Sequence, residues 1–157
     1  MPWKLAFALQ RDGWYLRSDV IWYKPNCMPE SVKDRPTRSH EYLFLLSKSE
    51  RYYYNYESIR EENGRNKRTV WSIPTQAFKG AHFATFPTSL IEPCILAGSK
   101  PGDYVLDPFF GSGTVGMVCN KLNRQYVGIE LNPDYIDIAL KRIQENDWET
   151  PTVAKVV

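Results

Sequence analysis

The sequence predicts an α/β protein built on a doubly wound sheet. Two observations carry this: a glycine-rich turn, Gly111-Ser112-Gly113-Thr114-Val115-Gly116, comes directly after the short apolar run Tyr104-Val105-Leu106 and its Asp-Pro-Phe-Phe link, and helix-period and strand-period segments alternate beyond it. A third is bulk composition. At 157 residues, 43% hydrophobic and 14% aromatic, the chain is long enough to bury a core.

Pro2 suits a first helical turn, with Trp3, Ala6, Phe7 and Gln10 at helical spacing and Asp12-Gly13 as the stop. Trp14 to Tyr23 reads as a strand ended by Lys24-Pro25-Asn26. A loop through Pro29 and Pro36 leads to His40–Leu46, a second strand, and the aromatic cluster Tyr52, Tyr53, Tyr54 and Tyr56 is expected to form its hairpin partner. From Glu57 to Gly80 periodicity fades. Arg60, Arg65, Lys67, Arg68 and Lys79 outnumber Glu57, Glu61 and Glu62 there, as in an exposed loop. Thr88 to Ala97 reads as a short helix closed by Gly98, with Pro93 an awkward occupant.

Tyr104-Val105-Leu106 has the length and character of a short buried strand. Val115, Val118, Cys119 and Leu122 mark the helix after the glycine turn, and Tyr126–Ile129 a second strand. Asn132 caps a last helix, with Pro133 at its first position and Ile136, Ala139, Leu140 and Ile143 as its apolar stripe. The segment is a βαβα unit.

The net charge of +2 does not by itself indicate a nucleic-acid partner. Cys27, Cys94 and Cys119 are odd in number and contain no C-x-x-C pair, which disfavours a disulfide framework and a zinc site; no metal is expected. No apolar run reaches membrane-span length and the first residues do not resemble a signal peptide, so a soluble, cytoplasmic protein is expected.

The glycine turn satisfies G-x-G-x-x-G, and Glu130 ends the next strand nineteen positions after Gly111, as in a dinucleotide site. Glu130 fits either cofactor class, since a carboxylate there accepts from ribose hydroxyls. The residues before the first glycine discriminate. Asp107-Pro108-Phe109-Phe110 places an acid where a pyrophosphate would be repelled, whereas the sulfonium and ammonium of S-adenosylmethionine would be attracted. The methyl donor is therefore favoured, with NAD left open, and a phosphate-binding P-loop is disfavoured because the Lys-Ser/Thr pair is absent.

Val105-Leu106-Asp107-Pro108-Phe109-Phe110-Gly111-Ser112-Gly113-Thr114 resembles the first cofactor motif of bacterial DNA N4-cytosine/N6-adenine methyltransferases, enzymes of restriction-modification systems. His82 to Leu90 resembles the segment that packs on the methionine end of the cofactor in that family, and Val127-Gly128-Ile129-Glu130 its ribose-binding strand. Ser18 to Asn26 and Arg35 to Tyr42 are similar to its target-side elements. Target-side parts first and cofactor motif last is the order of the permuted beta class.

The resemblance implies a methyltransferase fold of Rossmann-like type, with one domain over 1–157: target-side strands in 1–56, a DNA-recognition loop in 57–80 and the cofactor-binding unit in 81–157. It implies S-adenosylmethionine held by Phe86, Pro87, Asp107, Pro108, Phe109, Gly111, Ser112, Gly113, Thr114 and Glu130. It implies double-stranded DNA as partner, with Lys24, Asn26, Arg60, Arg65, Lys67 and Arg68 as candidate contacts.

The family's catalytic tetrapeptide, Asp/Asn/Ser-Pro-Pro-aromatic, is not found: the chain has 11 prolines and no two are adjacent. Asn132-Pro133-Asp134-Tyr135 reads as a helix cap, and Asp107-Pro108-Phe109-Phe110 belongs to the cofactor loop. The expectation is a carboxy-terminal portion lacking a central strand, inactive alone and dependent on a second polypeptide for the upstream half. A noncatalytic cofactor- or DNA-binding module and an NAD-dependent oxidoreductase are the other classes open to the sequence.

Overall fold

The computed structural model describes residues 1–76 and 85–145 and the backbone of 155–156. Its chain divides into two compact units, one of residues 1–53 and 66–75, the other of 54–65 and 76–157.

The first unit opens with helix α1, Pro2–Arg11, whose proline occupies a position that donates no helical hydrogen bond; Gly13 then turns the chain at φ +87°. Strand β1, Tyr15–Tyr23, pairs antiparallel with β2, His40–Ser47, from Tyr15 opposite Ser47 to Tyr23 opposite His40, with an irregularity between Leu16 and Ser18. Trp3 of α1 packs edge-on against Tyr42 and Phe44 of β2, ring centroids 5.7 and 5.0 Å away.

β1 lies in the middle of a three-stranded sheet. Its other neighbour is β3, Val70–Ser72, parallel to it with Ile21 opposite Val70. Two expectations change here. The tyrosine cluster after β2 is not a strand: β1 takes the pairing, Tyr52 lies under the Arg17 guanidinium at 5.2 Å, and Tyr52, Tyr53, Tyr54 and Tyr56 are all exposed. Aromatic strand preference is a preference for a packed pleated surface, which those residues do not meet. The stretch from Glu57 is not wholly loop either, since it holds β3 and a 3-10 turn at Glu57–Ile59, elements too short to show periodicity. Trp22 is buried, and its indole N–H donates to the Ile73 carbonyl at 2.7 Å, fixing the chain that leaves β3.

The second unit contains helix α2, Thr88–Gly98, then β4, Tyr104–Asp107, α3, Thr114–Lys121, β5, Gln125–Gly128, α4, Pro133–Gln144, and β6, Lys155–Val156. The strands are parallel, in the order β4-β5-β6. Pro93 lies inside α2. The rung it removes is offset by tertiary packing, with Leu90, Ile95 and Ala97 of the same helix buried. The Asn132 side chain accepts from the Asp134 N–H at 3.0 Å, making it the cap of α4.

Ile95, Phe110, Val115, Val118, Cys119, Tyr126 and Ala139 form the core, with Phe86, Ile91, Val105, Leu122 and Ile143 packed around it. Arg124 is buried against three neutral acceptors, the Ser99 carbonyl at 2.7 Å, the Ser99 hydroxyl at 3.2 Å and the Leu122 carbonyl at 2.6 Å, joining the end of α2 to the end of α3. One strand departs from expectation. β4 is not buried, because Tyr104 and Leu106 on one of its faces are 68% and 62% exposed. No helix among the described residues is long and apolar enough to cross a membrane.

Candidate functional site

β4 and β5 end side by side, with Asp107 opposite Gly128, and backbone bonds lace together the two segments that leave them. The Ile129 N–H donates to the Asp107 carbonyl at 2.9 Å, and the Phe110 N–H to the Ile129 carbonyl at 2.9 Å. Between these bonds the chain makes a tight turn in which the Phe109 N–H donates to Asp107 Oδ1 at 3.0 Å. Phe110 enters the core while Phe109 stands 88% exposed. Gly111 and Gly113 come next at φ +50° and +76°, left-handed conformations that a side chain would strain, and α3 begins at Thr114.

Glu130 fastens this turn. Its Oε2 accepts from the Gly111 N–H at 2.8 Å, and its Oε1 accepts from the Leu131 and Asn132 N–H groups, each at 2.9 Å. Those backbone bonds, that from Asn132 foremost, hold the carboxyl below its ordinary range. Asp107 shifts the other way: burial raises it, the Phe109 N–H opposes the rise, and the charge of Glu130 adds to it. Two carboxylates at adjoining strand ends, one of them partly desolvated, form a site where a cation is stabilised.

Two cavities adjoin the turn. One, of about 390 Å³, is lined by Phe86, Ile91, Val105, Leu106, Asp107 and Val115 among others, so that a single carboxylate sits in mainly apolar walls. The other, of about 80 Å³, is lined by Thr85, Phe86, Pro87, Thr88, Thr114 and Arg142, with Gln76. Phe86 is a wall of both.

Of the cofactor residues expected from sequence, Asp107, Gly111 and Glu130 are joined by the turn, while Phe86, Pro87 and Thr114 meet at the smaller cavity. Pro108 stands between Asp107 and the exposed Phe109, and Ser112 is buried. Gly113 and Gly116 have a further use in packing. A β-carbon on Gly113 would lie 2.9 Å from Ala139 Cβ, and one on Gly116 2.8 Å from Phe110 Cζ. His82, Phe83 and Ala84 lie outside the described residues, as do Lys79 and Gly80.

Sequence reasoning missed Arg142, Ile91, Leu106 and Cys94 as lining residues. Arg142 carries no motif signal, because a basic residue in the last turn of a helix is accounted for by the helix dipole.

The candidate DNA contacts divide between the units. Lys24 is paired with Glu41, and its ammonium lies 4.4 Å from the Trp22 ring centre. Asn26 is committed to structure at both ends of its amide, donating to the Thr75 carbonyl at 3.0 Å and accepting from the Thr75 N–H at 2.8 Å. Lys67 covers Trp71, 5.1 Å from its ring, and Arg68 is exposed. In the other unit Arg60 pairs with Glu57 at 3.8 Å and lies 5.1 Å from the Tyr56 ring, while Arg65 is exposed.

Comparison with known proteins gives concordant matches. A family model described as DNA methylase matches residues 4–141. The chain is 68% identical over 158 residues to Type II methyltransferase M.Cfr9I of Citrobacter freundii, covering 98% of this chain and 53% of that protein. It is 65% identical to Type II methyltransferase M.XycI of Xanthomonas campestris pv. cyanopsidis, over 92% of this chain and 49% of that protein. The chain thus spans about half the length of these relatives. Among solved structures, the M1.HpyAVI-SAM complex superposes with a TM-score of 0.72 at 30% identity, over 89% of this chain and 68% of that one.

Proposed function

Because the chain belongs to the DNA methylase family, we propose that it is the cofactor-binding portion of a DNA methyltransferase that methylates the exocyclic amine of adenine N6 or cytosine N4, with S-adenosylmethionine as donor. The observation that carries the reading is the pair Asp107 and Glu130 at adjoining strand ends, one raised by burial and the other held low by backbone donors around the glycine turn.

These residues fit a cationic nucleoside. The half-buried Asp107 beside an apolar cavity stabilises positive charge, and Glu130 offers a carboxylate to ribose hydroxyls while it holds Gly111. An anionic pyrophosphate at the glycine turn would meet the Asp107 carboxylate, which disfavours NAD. S-Adenosylmethionine supplies an electrophilic methyl group, and the role of this chain's residues is to hold it in one orientation. When bound, it would give up that methyl group to the amine of a base withdrawn from the duplex, the sulfur leaving as the neutral thioether of S-adenosylhomocysteine and the amine losing a proton.

Transfer needs, in addition, acceptors that hold the amine in line. With no two adjacent prolines, this sequence contains no Pro-Pro tetrapeptide to supply them. We assign that role to a further segment, in the same or a second polypeptide, which pairs with the outer edge of β4. The position of β4 at the end of its sheet among the described residues supports this. DNA phosphates are assigned to Arg65, Lys67 and Arg68, and the cytoplasm is the compartment in which such an enzyme meets its substrate.

The test is transfer of labelled methyl groups to unmethylated DNA by the purified chain, alone and with a polypeptide carrying the Pro-Pro segment, together with competition between S-adenosylhomocysteine and NAD. Incorporation only in the combined sample, and displacement only by S-adenosylhomocysteine, are the expected results. Robust incorporation by the chain alone overturns the assignment of the missing acceptors, and tighter binding of NAD overturns the cofactor.

A further inference from the structure

The only Asn-Gly step in the sequence, Asn63-Gly64, stands in a tight turn of the second unit. The Glu61 N–H donates to the Arg65 carbonyl at 2.9 Å, and the Gly64 N–H to the Glu61 carbonyl at 2.8 Å. Gly64 takes φ +78°, a left-handed conformation that glycine adopts without strain. The Asn63 side chain is part of the same turn, its Oδ1 accepting from the Arg65 N–H at 3.1 Å. Asn63, Gly64 and Arg65 are all exposed, and a β-carbon on Gly64 would meet nothing within 4 Å.

Most of this geometry favours attack of the Gly64 nitrogen on the Asn63 carboxamide. The Oδ1 bond closes a ring that folds the side chain back over the Asn63–Gly64 peptide. It also sets an N–H donor on the oxygen that becomes negative in a tetrahedral intermediate. Glycine has no side chain to obstruct its nitrogen, and the space around it is open to solvent. The bond from the Gly64 N–H to Glu61 opposes the reaction, because that proton must leave. In the step itself the Gly64 nitrogen loses its proton to hydroxide or water and bonds to Asn63 Cγ. The Cγ–Nδ2 bond breaks, and Nδ2 takes up a proton and departs as ammonia. Water then opens the cyclic imide at either carbonyl, giving aspartate or an isoaspartate whose main chain runs through the former side chain.

We propose that Asn63 is a modification site that deamidates in the folded chain, and that the carboxylate so formed beside Arg65 weakens the hold of this turn on DNA phosphates. The charge effect rests on the DNA reading above, whereas the cyclisation is independent of it. Asn66 supplies the internal comparison, being exposed as well but followed by Lys67 instead of glycine.

The experiment incubates the 157-residue chain at mildly alkaline pH, folded and in denaturant, and follows each asparagine by peptide mapping with mass spectrometry. Asn63 is expected to convert ahead of Asn66, with isoaspartate among the products, at a folded-state rate within about tenfold of that in denaturant. Conversion of Asn66 first overturns the proposal. A folded-state rate slower than that margin overturns it too, since the bond from Gly64 to Glu61 then protects the site. For the charge effect, Asn63→Asp is the aspartate product made directly, and it keeps an oxygen to accept from the Arg65 N–H. Its binding to duplex DNA is titrated against salt beside wild type and Arg65→Ala. Both variants are expected to lose affinity, Arg65→Ala with a slope lower by about 0.9. Wild-type affinity in Asn63→Asp together with weakened binding in Arg65→Ala overturns the charge effect alone. Wild-type affinity in both variants, or no DNA binding by wild type, overturns the phosphate reading and the charge effect with it.

Discussion

The ring of Phe110 lies so close to the backbone of Gly128 that a β-carbon there would overlap it, 2.4 Å from Cγ, and the same ring stacks with that of Tyr126 at 5.5 Å between centroids. Gly128→Ala is therefore expected to destabilise the fold by about 1–3 kcal/mol, the usual cost of overpacking. Phe110→Leu combined with Gly128→Ala should recover part of that loss, because the smaller side chain leaves room for the methyl group. Chemical denaturation of the two variants checks this, and an unchanged midpoint in Gly128→Ala would refute the close approach.

Glu130 accepts three backbone N–H bonds with its two oxygens, so no amide orientation reproduces them. In Glu130→Gln the amide nitrogen must face either Gly111 or the pair Leu131 and Asn132. A loss of about 1–3 kcal/mol is expected from the donor left unsatisfied, and Glu130→Ala should weaken cofactor binding by about 1.5–3 kcal/mol in addition to loosening the turn. The folded-state pKa is depressed, so the stabilisation is complete above the ordinary glutamate pKa and disappears as pH falls through the folded value. Acid titration of unfolding should show this component in wild type and lack it in Glu130→Ala.

Asp107 titrates in the opposite sense. Its raised pKa means that the carboxyl takes up a proton at a higher pH than an ordinary aspartate, and a cationic ligand binds the ionised form. Affinity for S-adenosylmethionine should accordingly fall as pH is lowered through the raised pKa, beginning above the window in which Glu130 titrates. Asp107→Asn should weaken binding by about tenfold or more and flatten the profile. A wild-type profile that is flat across the carboxylate range would refute the electrostatic role.

The thiol of Cys119 is buried in the core and pushed up to about 12 by burial, against the lowering effect of Arg124. Alkylation of the folded chain should label Cys27 and Cys94, which are half-buried, and reach Cys119 only in denaturant. Labelling of Cys119 under native conditions, read by mass spectrometry, would show that the core opens.

For DNA, each phosphate contact contributes about 0.9 to the slope of log affinity against log salt. Arg65→Ala with Arg68→Ala should lower that slope by about 2 if both reach phosphates. Asn26→Ala, by contrast, should cost stability through the lost Thr75 bonds with no change in slope. An unaltered slope in the arginine double variant would remove both residues from the list of phosphate contacts.

How much of the structure is legible in the sequence depends on how locally each feature is determined. Helix α4 is legible because its cap, its proline and its apolar stripe are all its own residues, and the glycine turn because φ above zero and close packing restrict the residue type. β3 is not, since three residues carry no period and their pairing with β1 is a long-range event. The tyrosines from Tyr52 to Tyr56 mislead for the related reason that strand preference depends on a partner, and β1 already pairs with β2. At the site, the acids are marked by their positions at strand ends. Arg142 is hidden because only the fold brings the last turn of α4 to the Ser112 carbonyl.

The path of the chain between its two units has an evolutionary corollary. Residues 54–65 belong to one unit while their flanks, 1–53 and 66–75, belong to the other, so the polypeptide passes from unit to unit three times. Neither unit is a contiguous cassette. A single crossover between two genes of this kind always divides at least one unit between parents, and both units must then tolerate each other's sequence. Recombination that exchanges one unit intact requires breakpoints at no fewer than three places, near 53, 65 and 75, which makes gradual substitution within each unit an easier route to diversity than the shuffling of whole modules.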